Sequence, residues 1–96
     1  MAFNKDGLIQ EYYENGLLKS EINYKNNKLD GKLKRWYDIG QQACEENYIE
    51  GNLEGLNRWW YNSGQMKFKG HYEDGKKIGY CIWWGNNGSI EREERY

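Results

Sequence analysis

Apolar and polar residues mix along this chain in short stretches, and polar turn signals separate the stretches. Residues 13–16 (YENG) and 24–27 (YKNN) are the first two signals, and similar tetrapeptides follow at regular intervals. An aromatic residue, two mostly polar residues and then Gly or Asn predict a type I turn that is closed by a residue at positive φ. The stretches between turns have the length of ordinary strands, roughly eight residues. The pattern therefore predicts an all-β chain.

Glycine and aromatic positions repeat every 24 residues over the whole chain. Four columns are in phase: Gly7, Gly31, Gly55 and Gly79; Gly16, Gly40, Gly64 and Gly88; Tyr24, Tyr48, Tyr72 and Tyr96; and Tyr12, Trp36, Trp60 and Trp84. Self-similarity at a fixed period is typical of repeat architectures. We predict a single domain over residues 1–96, with β-hairpin repeats at 1–24, 25–48, 49–72 and 73–96. Aliphatic residues are scarce, so we expect one elongated, twisted antiparallel meander, a single layer thick.

The turns also predict which side chains share a face of the sheet. Regular pairing outward from the turn at residues 37–41 places Trp36 opposite Gln42, and Lys34 opposite Cys44. One face then carries the ladder Tyr12, Trp36, Trp60 and Trp84 together with Phe68 and Tyr72, and the other face carries Trp59 and Trp83. The glycine column that begins at Gly7 lies inside strands, where Gly marks either a bulge or a backbone covered by a ring. We favour a Trp or Tyr ring from the adjacent strand.

The spacing of these columns resembles a known repeat. Gly-x-x-x-x-Trp-Tyr-x-x-Gly followed by Tyr-x-x-Gly, as at residues 31–40 and 48–51, is similar to the bacterial variant of the MORN repeat. The resemblance covers the whole chain and implies β-hairpins laid side by side in one sheet. It also implies a binding role, because bacterial members include antitoxins and immunity-like partners of toxic proteins, and eukaryotic relatives act in scaffolds. Gly85 departs from the pattern, which expects Tyr there.

The reactive residues do not form a catalytic or metal-binding pattern. His71 is the only histidine, and polar residues of different charge share its column, which predicts a solvated side chain. Cys44 and Cys81 lack the spacing of zinc or redox sites, and we interpret them as small packing residues. We therefore expect no enzyme, no metal and no cofactor.

Charge and hydropathy narrow the cellular setting. The net charge is −1 with acidic and basic residues interleaved, whereas a nucleic-acid-binding protein usually carries a basic patch. No apolar run is long enough to cross a membrane. The two cysteines do not make a secreted disulfide framework, so we expect a cytoplasmic protein.

The aromatic residues are the candidate binding site. The predicted partner-binding residues are Tyr12, Trp36, Trp60, Trp84, Trp59, Trp83, Arg35 and Arg58. These rings can simply cover the sheet, or they can form an open recognition surface, since Trp, Tyr and Arg dominate interface hot spots. Arginine beside tryptophan is equally compatible with an intramolecular cation–π contact.

Three functions compete on this basis. The leading hypothesis is a non-enzymatic protein-binding module, an antitoxin or immunity-type inhibitor that masks a toxin or effector through an aromatic face. The alternative is a structural scaffold that self-associates through its edge strands. Binding to a membrane surface or to carbohydrate is less favoured, because attraction to membranes needs a basic excess.

Overall fold

The computed structural model describes residues 4–96, which form one antiparallel β-sheet. The strands are β1 (Gly7–Tyr12), β2 (Leu18–Lys25), β3 (Lys28–Trp36), β4 (Gln42–Ile49), β5 (Asn52–Leu53), β6 (Gly55–Trp60), β7 (Met66–Glu73), β8 (Lys76–Trp84) and β9 (Ile90–Arg95). Neighbours in the sheet follow chain order, except that the short β5 pairs with β4 alone and β6 takes the next place. The molecule measures 48 × 35 × 15 Å, which fits a single layer. The predicted all-β meander is confirmed; the first three residues of the first predicted repeat lie outside the described residues.

The first kind of turn has the predicted geometry. The Gly16 N–H donates to the carbonyl oxygen of Tyr13 (2.9 Å), and the Tyr13 N–H donates to that of Leu17 (2.8 Å). Gly16 has a φ of 87°, a left-handed conformation that costs glycine little. The same turn recurs at Gly40, Gly64 and Gly88.

The second kind of turn differs from the prediction of a type I turn with one residue at positive φ. Asn26 and Asn27 both have positive φ, 51° and 68°, and the flanking Lys25 and Lys28 pair directly. Two positive φ values are the mark of a type I′ turn, whose twist matches that of the two strands it joins. The later turns, at residues 50–51 and 74–75, have the same conformation.

A β-bulge follows every turn of the first kind and corrects the predicted register. Trp36 lies opposite Gln42 as predicted, but Arg35, not Lys34, lies opposite Cys44. Ala43 is the extra residue between these two pairs. Because side chains alternate along a strand, one extra residue moves all later side chains of the second strand to the other face. The same shift occurs in the other three hairpins of this kind.

The register defines two faces, which we call the ladder face and the core face. The ladder face carries Tyr12, Trp36, Trp60 and Trp84, and the core face carries Trp59 and Trp83, as predicted. Phe68 and Tyr72 are the correction. They pair with Trp59 and Gly55 and therefore lie on the core face, not with the ladder.

The column of in-strand glycines also corrects a prediction. Gly31 and Gly55 have φ values of 103° and 78°, the conformation of a bulge. No ring covers them. A Cβ on Gly55 would meet no described atom within 4 Å beyond its chain neighbours, and one on Gly31 would meet the Asn23 side chain at 3.2 Å. The Asn23 amide donates to the carbonyl oxygen of Lys32 (2.9 Å), so a side chain bonds to the backbone where the ladder is irregular.

A second tyrosine column bonds each hairpin to the next. The hydroxyl groups of Tyr13, Tyr37 and Tyr61 donate to carbonyl oxygens of Trp36, Trp60 and Trp84, at 2.6, 2.7 and 2.8 Å respectively. Each such bond contributes about 1 kcal/mol. Gly85 occupies the fourth position of this column and has no hydroxyl to offer.

Candidate functional site

The two halves of the core face are built differently. In the N-terminal half (β1–β4), Ile22, Leu33 and Cys44 are buried together. Tyr24, Leu29 and Tyr48 pack against this cluster. In the C-terminal half (β6–β9), Asn57 and Cys81 are buried on the core face, but the surface beside them is open. It contains a cleft of about 360 Å³ lined by Glu46, Trp59, Lys67, Phe68, Tyr72, Lys77 and Trp83, which we call the aromatic cleft.

Three rings on adjacent strands form the base of the aromatic cleft. Trp59 on β6 pairs with Phe68 on β7, and Phe68 pairs with Trp83 on β8. The ring centroids of Phe68 and Trp83 are 5.1 Å apart, with the planes inclined at 45°. Contacts of this kind fix the orientation of these two rings relative to each other.

A glycine makes room for one ring of the cleft. Gly70 is buried on β7 between the side chains of Phe68 and Tyr72. A Cβ at Gly70 would lie 2.6 Å from Cζ of Phe68 and 2.9 Å from Sγ of Cys81. Both distances are too short for carbon contacts, so the Phe68 ring occupies space that only glycine leaves free. A ring does lie over a glycine in this fold, at Gly70 and not in the predicted column.

The charges of the cleft are two lysines and one glutamate. The Nζ atom of Lys77 lies 5.3 Å from the ring centroid of Trp83, and that of Lys67 lies 5.5 Å from the ring of Tyr61. Glu46 accepts a hydrogen bond from the Tyr48 hydroxyl (3.0 Å). Within residues 4–96, no carboxylate comes within 4.0 Å of either lysine ammonium group. Both lysines are therefore free to pair with an added anion.

The tyrosines beside the cleft remain protonated donors. Burial raises the pKa of Tyr72, and the nearby Cys81 and Glu46 raise it further. Burial followed by the charge of Glu46 raises the pKa of Tyr48. Both hydroxyl groups are therefore neutral at physiological pH, and that of Tyr48 already donates a hydrogen bond to Glu46.

The remaining predicted site residues lie on the ladder face, except Arg35. Arg58 donates to Glu45 (2.7 Å) and its guanidinium lies 5.2 Å from the ring centroid of Trp60. Tyr12, at the start of the ladder, is 59% exposed. Arg35 is exposed on the core face of the N-terminal half, opposite Cys44. The structure thus brings only Trp59 and Trp83 of the predicted set into the cleft.

Sequence reasoning missed Phe68, Tyr72 and the charged residues of the cleft. The missing signal was the bulge, which joins residues from different columns into one cross-strand row. With the bulge included, the row runs Glu11, Ser20, Arg35, Cys44, Trp59, Phe68, Trp83 and Arg92. The run of three rings in the second half of this row marks the cleft.

The histidine and the two cysteines are not among the residues that line the aromatic cleft. His71 is exposed, and the free thiols of Cys44 and Cys81 are buried. Burial, followed by the charge of Glu46, raises the pKa of Cys44 to about 11, so its thiol is protonated at neutral pH. Across residues 4–96, no three His, Cys, Asp or Glu side chains are grouped so that they could hold a metal ion.

No helix long and apolar enough to cross a membrane occurs in the part of the chain that the structure describes.

Two segments of the chain match a family model. Residues 5–26 and 53–74 match the MORN repeat variant. Residue 53 follows residue 5 by 48 positions, which is twice the 24-residue period of the sequence columns. The exact number of repeats and their boundaries stay a prediction. No curated protein and no solved structure matches the chain significantly.

Proposed function

This chain is a member of the MORN repeat variant family, and we propose that it is a non-enzymatic module that binds a partner protein through the aromatic cleft. The exposure of Trp59 carries the proposal. Trp59 pairs with Phe68 across the two strands, yet 41% of its residue surface remains accessible. A large ring that lies beside other rings and is still open to solvent is the kind of residue that dominates interface energetics.

The dimensions of the cleft suit one or two apolar side chains. Its volume of about 360 Å³ falls at the lower end of the range for ligand pockets. Because Phe68 and Trp83 already hold each other, binding there orders few additional side chains and loses little entropy. A partner would gain contact area at low conformational cost.

In its more specific form, the proposal makes the partner a toxin or effector that this module masks in the bacterial cytoplasm. The resemblance to bacterial family members motivates that role. A scaffold that self-associates through the edge strands β1 and β9 is the second candidate, since each of these strands pairs on one side only. The ladder residues Tyr12, Trp36 and Trp60 are the alternative binding surface.

Adjacent tryptophans provide a matched test of the binding face. Trp59 and Trp60 are neighbours on β6 whose side chains lie on opposite faces. Tagged wild-type protein, Trp59→Ala and Trp60→Ala would be used to capture partners from the native host, and the affinity for the captured protein would then be measured. We expect Trp59→Ala to weaken binding at least tenfold, or about 1.4 kcal/mol, and Trp60→Ala to leave it unchanged.

The reverse result would move the site to the ladder face. If both variants bind the partner as tightly as the wild-type protein does, and urea unfolding shows both to be folded, the proposed aromatic interface is overturned. To separate the two functional candidates, the activity of the captured partner would be measured with one equivalent of module, and sedimentation of the module would be followed over a range of concentrations. Loss of partner activity supports the inhibitor, and concentration-dependent association supports the scaffold.

A further inference from the structure

We infer that the partner segment that fills the aromatic cleft is acidic and carries an apolar side chain between its carboxylates. This inference rests on the proposed function and names the chemistry of its partner. The apolar side chain would contact Trp59, Phe68 and Trp83, and the carboxylates would pair with Lys67 and Lys77.

The charges of the cleft are separated across the sheet. Glu46 lies on β4, and Lys77 lies on β8, three strand positions away in the order β4-β6-β7-β8. Three strand spacings separate β4 from β8 by about 14 Å. Lys67 is on β7, and its ammonium lies 5.5 Å from the ring centroid of Tyr61, which follows β6. The positive charges therefore belong to β7 and β8 and the negative one to β4, so an anionic segment would be held toward β7 and β8.

Other charges near the cleft are already paired. The Arg92 guanidinium lies 4.5 Å from the ring centroid of Trp83, but its Nε donates to Glu94 (2.6 Å). Glu94 also accepts from the Tyr96 hydroxyl (2.8 Å). Arg92 and Glu94 thus satisfy each other. The ammonium of Lys77 also lies 5.4 Å from the ring centroid of Tyr96, but within residues 4–96 neither Lys67 nor Lys77 has a carboxylate within 4.0 Å, so both can pair with an acidic partner.

Lys67 is exposed and Lys77 is half-buried, and the two lysines select a partner more than they strengthen its binding. An ion pair that water can reach contributes little to affinity, while the rings supply the apolar contact. Positive charge beside an apolar cleft also raises the rate of encounter with acidic segments and disfavours basic ones. Specificity then comes from charge, and affinity comes from the rings.

The inference can be tested with synthetic peptides. The probe is a short, end-capped fluorescent peptide with one Phe between Asp residues, and the matched peptides replace Asp by Lys or Phe by Ala. Binding would be measured by fluorescence anisotropy at low salt. We expect the acidic Phe peptide to bind roughly tenfold more tightly than the basic one.

Charge reversal identifies the lysines responsible. In the double variant Lys67→Glu/Lys77→Glu, we expect the preference to change to the basic peptide. Lys69→Glu is the matched control, because Lys69 is on β7 but lies on the ladder face, opposite Arg58 and Ile82. This control should retain the wild-type preference.

Several results would overturn the inference. They are equal or tighter binding of the basic peptide, no binding of any peptide, and tighter binding to phosphatidylserine vesicles or to a single-stranded oligonucleotide. The proposed function can survive the failure of this inference. If Trp59→Ala weakens partner binding while charge reversal has no effect, the cleft binds protein segments without selecting acidic ones. If Trp59→Ala leaves partner binding unchanged, the proposed function fails.

Discussion

The two halves of the core face share one backbone plan and differ in the sizes of equivalent side chains. Ser20 and Ile22 of the N-terminal half correspond to Phe68 and Gly70, which lie 48 residues later. In the first half a small residue is followed by a buried aliphatic one. In the second half the large residue comes first and the glycine follows. The first arrangement fills the surface, and the second leaves a cleft beside a ring.

Within one repeat architecture, the N-terminal half of the core face supports the fold, and the C-terminal half carries the surface that we propose binds a partner. The turns, bulges and tyrosine bonds recur in both halves, so the backbone needs no change to produce a site. The halves differ instead in their side chains: besides the changes at Phe68 and Gly70, Trp59 and Trp83 stand where the N-terminal half has Glu11 and Arg35. We therefore expect substitutions in the N-terminal half to act mainly on stability, and those in the C-terminal half to act mainly on binding.

The largest expected effect on stability comes from the buried cluster of the N-terminal half. Leu33 is only 4% exposed and packs with Ile22 and Cys44. Leu33→Ala should lower the free energy of unfolding by about 2 kcal/mol, since it removes buried methyl groups and leaves a cavity. Urea unfolding measures this change. Leu8→Ala is the control, because Leu8 is 53% exposed on the ladder face, and its cost should stay below about 0.5 kcal/mol. Similar losses for both variants would contradict a distinct N-terminal core.

The next effect concerns the glycine under the cleft. Gly70→Ala should cost about 1–2 kcal/mol, because the new Cβ would overlap the Phe68 ring and the Cys81 sulfur. It should also weaken binding at the cleft by displacing the Phe68 ring. The same substitution in a Phe68→Ala background should cost less than half as much, and urea unfolding of the four proteins forms a double-mutant cycle. Additive costs would show that the ring does not rest on Gly70.

The smallest effect concerns the boundary between the two halves, where β4 pairs with β6. Burial of Glu45 disfavours its charged form, but hydrogen bonds from Arg58 and Lys32 outweigh burial and hold its pKa below 4.5. A lowered folded pKa stabilises the fold above about pH 4.5, and this contribution is lost as the pH falls through the folded value. Glu45→Gln should therefore reduce the drop in unfolding free energy between pH 7 and pH 3, by less than about 1 kcal/mol.

Urea titrations at both pH values test this, with Glu73→Gln as the control because Glu73 is exposed at a turn. An unchanged pH dependence in Glu45→Gln would mean that the pair does not hold the halves together.

The sequence predicted the turns and the aromatic ladder because each depends on local residue types at a fixed period. Gly16 and its equivalents specify a turn that needs a left-handed residue, and the structure agrees. The bulges carry no such signal. Their extra residues are two lysines, an alanine and a glutamate (Lys19, Lys67, Ala43 and Glu91), so no single residue type marks the position. A shift of one residue then hid the row of three rings, because the middle ring, Phe68, was assigned to the wrong face.

The prediction of a type I geometry for the second kind of turn was wrong for a related reason. Asn26 and Asn27 both tolerate positive φ, which is compatible with a type I′ turn, but the equivalent position Glu50 gives no hint of it. Glu50 adopts a φ of 49° because the strands on either side impose it. Tertiary pairing, not local propensity, decides that conformation.

The tyrosine hydroxyl bonds described above each reach only from one hairpin to the next. Tyr13, Tyr37 and Tyr61 make the same bond to the backbone of the following hairpin, and none extends further. Cohesion in such a chain is a sum of nearest-neighbour terms. Evolution can therefore change the length of the sheet by whole repeats, in steps of two strands or about 10 Å, without redesigning the contacts that remain. The length of the sheet and the side chains of the cleft can therefore vary independently of each other.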